Sequence, residues 1–265
     1  MVNEELNEKL RKKFSPIGSS LYKHQRRLLE ILEYIDSICR TNGISYWLSS
    51  GTALGAVRHG GFIPWDDDID IEMTFKDYLR FETIVLEDDK YDIQTRKTDM
   101  FYAAPYSKLR DRRSLIDEHP QDGNYKFKGI YVDVFIIEKN PSLLISAFFS
   151  RLIWRLIIQG GESHSNMQKK RFILKKKIIY SIRSIVRLVL ISLPSQKYRH
   201  TLGGGFNRNV RYLNEIFPLK EIAFEGHLFT IANDYDSYLK RIYGDYMTLP
   251  DVSSIHPHIS NVSFD

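Results

Sequence analysis

Asp66, Asp68, Asp70 and Glu72 stand at alternate positions, just after a run of small and turn-forming residues that begins at Gly51. On a β-strand, side chains two apart project to one face, so these carboxylates would share a surface. Carboxylates held that close repel one another unless a cation sits among them. Mg2+ or Mn2+ suits such hard oxygen ligands, held by one or two carboxylates and shared with substrate phosphates. The turn upstream offers backbone N–H groups to the same phosphates. A further carboxylate comes from a second strand, residues 129–137. There Ile130, Val132, Val134 and Ile136 point one way, and Tyr131, Asp133 and Phe135 the other. A carboxylate in that position is costly to bury unless it is paired or metal-bound. If the two strands are neighbours, Asp68, Asp70 and Asp133 form a metal platform with Asp66 beside it. The chemistry implied is phosphoryl transfer, which asks mainly for positioning and charge neutralisation. Asp133 could also accept the proton of an attacking hydroxyl.

Other residues could meet the phosphates. Gly51 and Thr52 open the turn, Arg58 has the forked donor geometry that phosphate oxygens accept, and Lys108 could neutralise donor charge. His59 reads equally well as a phosphate contact or a packing partner. His256 and His258 flank Pro257 with no third ligand evident, which is the pattern of an ordinary tail. Trp47 and Trp65 read as packing residues, although an aromatic face near the site could hold a quaternary ammonium group. Cys39, the lone cysteine, excludes an internal disulfide and a cysteine-based zinc cluster, and reads as a buried small hydrophobe.

The elements that must position these residues are visible as patterns. Leu28, Ile31, Leu32, Ile35, Ile38 and Cys39 make one apolar stripe, which predicts a helix over 21–40 capped by Ser19 or Ser20 and closed at Gly43. Residues 44–48 read as a strand, 52–59 as a short helix, 68–73 as the acidic strand, and 75–86 as a helix with Tyr78, Phe81, Ile84 and Val85 inward. Residues 102–109 and 114–118 are weaker strand candidates, and 203–205 form a loop. Residues 143–158 and 169–193 look helical, and 234–243 form a closing helix that stops at Gly244.

The 265 residues, 43% hydrophobic, can bury a substantial core. The net charge of +5 is unevenly spread: residues 140–214 hold 14 Lys and Arg against Glu162 alone, leaving an acidic body of roughly −8. The polar start is unlike a secretion signal, and no apolar stretch reaches about 18 uncharged residues, so a cytoplasmic protein is expected. The basic clusters and interleaved Ile, Leu and Val of 169–193 have the composition of an interfacial helix. They predict peripheral contact with an anionic membrane at its inner face. The glycine–aromatic signature of an RNA-binding sheet is missing, and no nucleic-acid partner is expected.

The run Tyr46–Trp47–Leu48, then Gly51–Thr52–Ala53–Leu54–Gly55–Ala56–Val57–Arg58–His59, then Gly61–Phe62–Ile63–Pro64–Trp65–Asp66–Asp67–Asp68–Ile69–Asp70 closely resembles the LicD family. Ser107–Lys108–Leu109–Arg110–Asp111 resembles its lysine–aspartate element, and Gly129–Ile130–Tyr131–Val132–Asp133–Val134–Phe135 its second acidic strand. Phe224–Glu225, Tyr235–Asp236–Ser237–Tyr238–Leu239 and Tyr243–Gly244–Asp245–Tyr246–Met247 resemble its C-terminal signature. Ser50 departs from a common glycine and Ala53 from a leucine. Ile136–Ile137–Glu138 replaces the proline and aspartate after the second strand, and Ile231–Ala232–Asn233 lacks an expected proline.

The resemblance implies an α/β (α+β) fold, a nucleotidyltransferase-like mixed sheet flanked by helices. The catalytic core would span 21–140 and 206–265, with a basic helical insertion at 141–205. It also implies transfer of a phospho-alcohol, usually phosphocholine from CDP-choline, to a hydroxyl of a cell-surface glycan or lipid-linked glycan precursor, with CMP leaving. The similar fukutin-related proteins use CDP-ribitol. On this reading Asp68, Asp70 and Asp133 are metal ligands, Asp66 supports them, Arg58 and Lys108 contact the donor pyrophosphate, and His256 or His258 gains weight. The residues alone leave two alternatives open: a nucleotidyltransferase acting on an NTP, and an inactive membrane-associated scaffold.

Overall fold

A computed structural model describes residues 3–117, 124–161, 165–205, 209–255 and 261–264. Along the chain run α1 (Glu4–Phe14), α2 (Ser20–Thr41), β1 (Tyr46–Leu48), α3 (Ser50–His59), β2 (Asp70–Thr74), α4 (Phe75–Glu87), β3 (Tyr91–Gln94), β4 (Ser107–Asp111) and β5 (Ser114–Asp117). They are followed by β6 (Tyr131–Lys139), α5 (Leu143–Gly161), α6 (Asn166–Ser192), β7 (Tyr198–His200), α7 (Leu213–Ile216), β8 (Lys220–Phe224), β9 (His227–Ile231), α8 (Tyr235–Tyr243) and β10 (Asn261–Phe264).

The main sheet is mixed, in the order β1-β2-β6-β4-β3, with β7 pairing onto the far end of β6. β2 and β6 are parallel, and the other pairs are antiparallel. Alternation gives the sheet two unlike faces. Ile71 and Met73 of β2, Val132, Val134 and Ile136 of β6 and Leu109 of β4 enter one large apolar core. α2 covers this face with Leu28, Ile31, Leu32, Ile35 and Cys39, and α4 adds Tyr78, Phe81 and Val85. Each such Leu or Ile removed from water contributes about 1.5–3 kcal/mol. Ser19 caps α2 by accepting from the Tyr22 N–H, and Cys39 is buried with its thiol pushed up by that burial. The opposite face carries Asp70, Glu72, Asp133, Phe135 and Lys108.

Several elements differ from the sequence reading. The acidic strand starts at Asp70, because Pro64 and Trp65 form a turn and the chain from Asp66 to Ile69 runs irregularly into it. Asp66 and Asp68 therefore lie outside β2. α1, which the sequence reading left out, is held by the Asn3 cap and by Glu5–Lys9 and Glu8–Lys12 pairs, and it buries Leu10 and Phe14. The β3 strand and the β8–β9 hairpin were also missed. His256, His258 and Glu118 lie outside the described residues.

Glu72 has a role of its own. It is fully buried, with Oε1 2.6 Å from Nη2 of Arg211 and 2.7 Å from Nε2 of His200, while Trp47 Nε1 donates to Oε2 at 3.0 Å. Ser49 Oγ donates to Oε1 at 3.0 Å. Arg211 and His200 hold the Glu72 carboxyl far below its usual range, although burial alone would raise it. Glu72 is thus a cross-brace between the sheet and the segment around Arg211. Leaving one partner of such a buried pair alone costs about 3–5 kcal/mol.

Candidate active site

Three neighbouring strands place one residue each in a single row. Asp70 of β2 stands opposite Asp133 of β6, and Asp133 stands opposite Lys108 of β4. The Asp133 amide donates to the Ile69 carbonyl at 2.9 Å, tying the approach to β2 onto β6. Lys108 Nζ lies 3.1 Å from Asp133 Oδ1 and over the Tyr131 ring. Asp66 and Asp68 reach the same place from the irregular segment. Burial first, then Asp68, Asp133 and Asp66, raise the Asp70 pKa well above the carboxylate range, and Lys108 offsets part of this. The Asp66 carboxyl is raised for the same reasons, by burial and then by Asp68 and Asp67. Asp66, Asp68, Asp70 and Asp133 therefore feel one another as a cluster.

The turn before α3 serves this cluster in a way the sequence did not suggest. Its left-handed residue is Ser50, at φ 47°, not Gly51. Ser50 stands where the resembling family commonly has glycine, so this chain places an ordinary side chain in a conformation that favours glycine. Tyr238 OH accepts from the Ser50 N–H at 3.3 Å and bonds Ser49 Oγ at 2.9 Å, which holds the turn. Gly51 is needed for a different reason: a Cβ there would come within 3.0 Å of Asp66 Oδ2. The Asp66 carboxylate thus rests against the first turn of α3, where backbone N–H groups favour negative charge. Thr52 Oγ1 accepts from the Asp70 N–H at 2.8 Å and fixes the start of β2.

Arg58 and His59 are buried, and the structure gives them bracing contacts. Arg58 Nε donates to His59 Nε2 at 3.0 Å, and its Nη1 donates to the Tyr246 carbonyl at 2.9 Å. His59 Nδ1 pairs with Asn7 Oδ1 at 2.8 Å. Burial, then Arg58 and Arg11, lower the His59 pKa to about 3, so the ring stays neutral. Both ring nitrogens of His59 are thus occupied, Nε2 by Arg58 and Nδ1 by Asn7. Arg58 lies close enough to Asp66 and Tyr243 to feel both, while tying α3 to the C-terminal segment. Trp65 packs edge-on to Phe14 and His59, and Trp47 is buried against Phe217.

One residue of this site escaped the sequence reading as a functional group. Tyr243, at the end of α8, is 42% exposed, and burial, Tyr238, Asp70, Asp66 and Asp68 raise its phenol. It lies within electrostatic reach of the acids, in the C-terminal signature. Its only sequence signal was its place in Tyr243–Gly244–Asp245–Tyr246.

Metal binding can be weighed on the donor set. Among the described residues, no three His, Cys, Asp or Glu side chains stand as a ready-made ligand group. The donors are nonetheless all-oxygen carboxylates, and burial first and then mutual repulsion raise Asp66 and Asp70, which is the environment a divalent cation relieves. The residues fit such an ion chemically.

Comparison with known proteins agrees with the geometry. Residues 43–151, which hold the whole row, match the family described as LicD/FKTN/FKRP, nucleotidyltransferase domain. The chain belongs to the LicD family. The Haemophilus influenzae protein named lipopolysaccharide cholinephosphotransferase LicD is 26% identical over 90% of this chain and 96% of its own length. Human ribitol 5-phosphate transferase FKRP is 42% identical over 20% of this chain and 10% of its own length. Mannosyltransferase regulator 4 of Saccharomyces cerevisiae is 32% identical over 26% of this chain and 6% of its length. The mixed sheet flanked by helices is consistent with the nucleotidyltransferase-like architecture of the family, and the chain is a LicD-superfamily enzyme of the phosphotransferase and nucleotidyltransferase type.

The raised Asp70 pKa has a definite sign. Ionising a carboxyl whose folded pKa lies above its unfolded value of about 3.9 costs stability as pH rises through that interval, about 1.4 kcal/mol per pH unit. Thermal midpoints of metal-free wild type and Asp70→Asn are expected to diverge in favour of the variant from about pH 4 upward. Parallel curves would show that Asp70 does not carry the repulsion.

Proposed function

We propose that this LicD-family chain moves phosphocholine from CDP-choline to a hydroxyl of a cell-surface glycan or its lipid-linked precursor and releases CMP. The observation that carries the reading is the row Asp70–Asp133–Lys108, built across three strands and joined by Asp66 and Asp68. The acceptor oxygen attacks the phosphorus that bears choline, the bond to the CMP phosphate breaks, and CMP leaves. Asp133 is placed to take the hydroxyl proton, and Lys108 to neutralise the diphosphate beside it. Tyr243, whose phenol feels Asp70, Asp66 and Asp68, supplies an aromatic surface for the quaternary ammonium of choline. Asp68, Asp70 and Asp133 would hold Mg2+ or Mn2+, with Asp66 next to them, and the bound ion supplies charge neutralisation at the diphosphate.

The same reading places the enzyme on a membrane. α6 turns Leu174, Ile178, Ile182, Ile185 and Val189 outward at steps of four, four, three and four residues, the spacing of one helical face. On α5, Leu144 is 83% exposed and Phe148 is also outward. Lys and Arg flank both helices. Leu143–Gly160 is long and apolar enough to cross a membrane by length and composition, a match the sequence reading did not make because Arg151 and Arg155 interrupt it. Phe149, Ile153 and Leu156 of that helix are nevertheless buried in the fold, against residues of α6 and of two separate loops, one at Ala103 and one at Leu202. This favours a helix pair lying on an anionic bilayer at the cytoplasmic side over one that spans it.

Purified enzyme with Mg2+ is expected to release CMP from CDP-choline, and Asp133→Asn or Lys108→Ala to slow release on the order of a hundredfold or more. Pyrophosphate release from an NTP would favour the nucleotidyltransferase alternative, and CMP release indifferent to both substitutions would remove the proposed site. In low salt the wild type should float with phosphatidylglycerol-rich vesicles, and Ile182→Glu with Ile185→Glu should stay behind. Wild-type protein left in the soluble fraction would defeat the membrane reading.

A further inference from the structure

The face that bears the acids continues into a cavity of about 300 Å³. Among the described residues, its walls include Tyr106, Arg151, Trp154, Ile157 and the backbone of Gly203 to Gly205. Tyr106 joins this cavity to the catalytic row. It lies two residues before Lys108, and its ring centroid is 4.5 Å from that of Phe135. Phe135 is two residues beyond Asp133 on β6, and residues two apart on a strand share a face at about 7 Å. The glycine wall is a tight fit from behind: a Cβ at Gly205 would run into the His200 ring, and one at Gly203 into Ile153. No side chain from that wall fills the space.

The remaining walls are chemically specific. Trp154 is 43% exposed although it is a large aromatic on a helix that buries Ile153 and Leu156. Arg151, nearly one helical turn earlier on α5, is exposed and makes no ion pair with a carboxylate among the described residues. An aromatic plane, a second aromatic edge, a glycine backbone wall and a guanidinium without a carboxylate partner among the described residues converge on one small space.

We propose that this cavity is the acceptor subsite and that it takes a sugar ring carrying a phosphate group, an assignment that rests on the transferase reading above. The C–H face of a sugar ring is apolar and packs on Trp154 and Tyr106, while its hydroxyls meet the Gly203 to Gly205 backbone. The phosphate pairs with the Arg151 fork. A volume at the low end of small-molecule sites, about 300–1,000 Å³, suits one sugar unit. A ring seated there borders Tyr106, whose contact with Phe135 leads toward the acidic row. The basic, apolar helix pair therefore contributes a wall of the site as well as an outer surface.

The probe is N-acetylglucosamine 1-phosphate added to the full chain, with binding read by tryptophan fluorescence and saturation-transfer NMR. N-acetylglucosamine and inorganic phosphate serve as comparisons. The sugar phosphate should bind saturably and more tightly than either half. Trp154→Ala and Arg151→Ala should each weaken it on the order of tenfold, and Trp154→Phe should keep most of it. Thermal midpoints report whether each variant folds, and Arg151→Ala, a change at an exposed side chain, carries the test if Trp154→Ala does not. No saturable binding by wild type, undiminished binding by both alanine variants, or equal binding of phosphate alone would overturn the assignment. CDP-choline titrated separately distinguishes the two readings. Sugar phosphate bound without CDP-choline would sink the transferase reading, and CDP-choline bound without sugar phosphate would sink the acceptor subsite.

Discussion

Repulsion among crowded, partly exposed carboxylates is the constraint around which this molecule is arranged. Asp70 and Asp133 are direct neighbours across a parallel strand pair, and Asp66 and Asp68 close on them from outside the sheet. Left alone, such a group would drive the strands apart or hold protons well above the usual carboxylate range. The fold answers with Lys108 against Asp133, with the first turn of α3 beneath Asp66, and with an apolar core on the reverse face that keeps β2 and β6 in register. A site strained in this way gains most from a ligand that brings positive charge.

The supports are as instructive as the acids. Glu72 shares the face of Asp70, yet Arg211 and His200 claim it completely and turn it into a brace. Arg58 and His59 hold α3 to α1 and to the C-terminal segment, close to Tyr243, which feels the acids. The left-handed Ser50, held by Tyr238, couples α8 to the same turn. Two distant parts of the chain, α1 and the stretch from Tyr238 to Tyr246, therefore meet at one short helix.

Much of this was readable before any coordinates. The apolar stripe of α2 and the alternation of β6 follow from local spacing, and both sit as expected in the core. The candidate acids were legible because like charges at such density are rare without a purpose. What escaped was long-range. Strand alternation put Asp66, Asp68, Asp70 and Glu72 in one set, but Pro64 bends the chain, so β2 begins at Asp70 and Glu72 meets partners more than a hundred residues away. The partners of Arg58 and His59, Tyr246 and Asn7, lie far off in sequence, so their bracing contacts had no local signal. α1 was overlooked because its apolar stripe is only Leu6, Leu10 and Phe14 in an otherwise polar segment.

The most direct measurement is the uptake of Mn2+ by the full chain, followed by electron paramagnetic resonance with and without CDP-choline. The account predicts binding by wild type that tightens on the order of tenfold when the diphosphate is present, because one ion then answers two sets of negative charge. It also predicts that Asp133→Ala loses this uptake. Mn2+ that fails to bind under either condition, or binds Asp133→Ala as tightly as wild type, would contradict it.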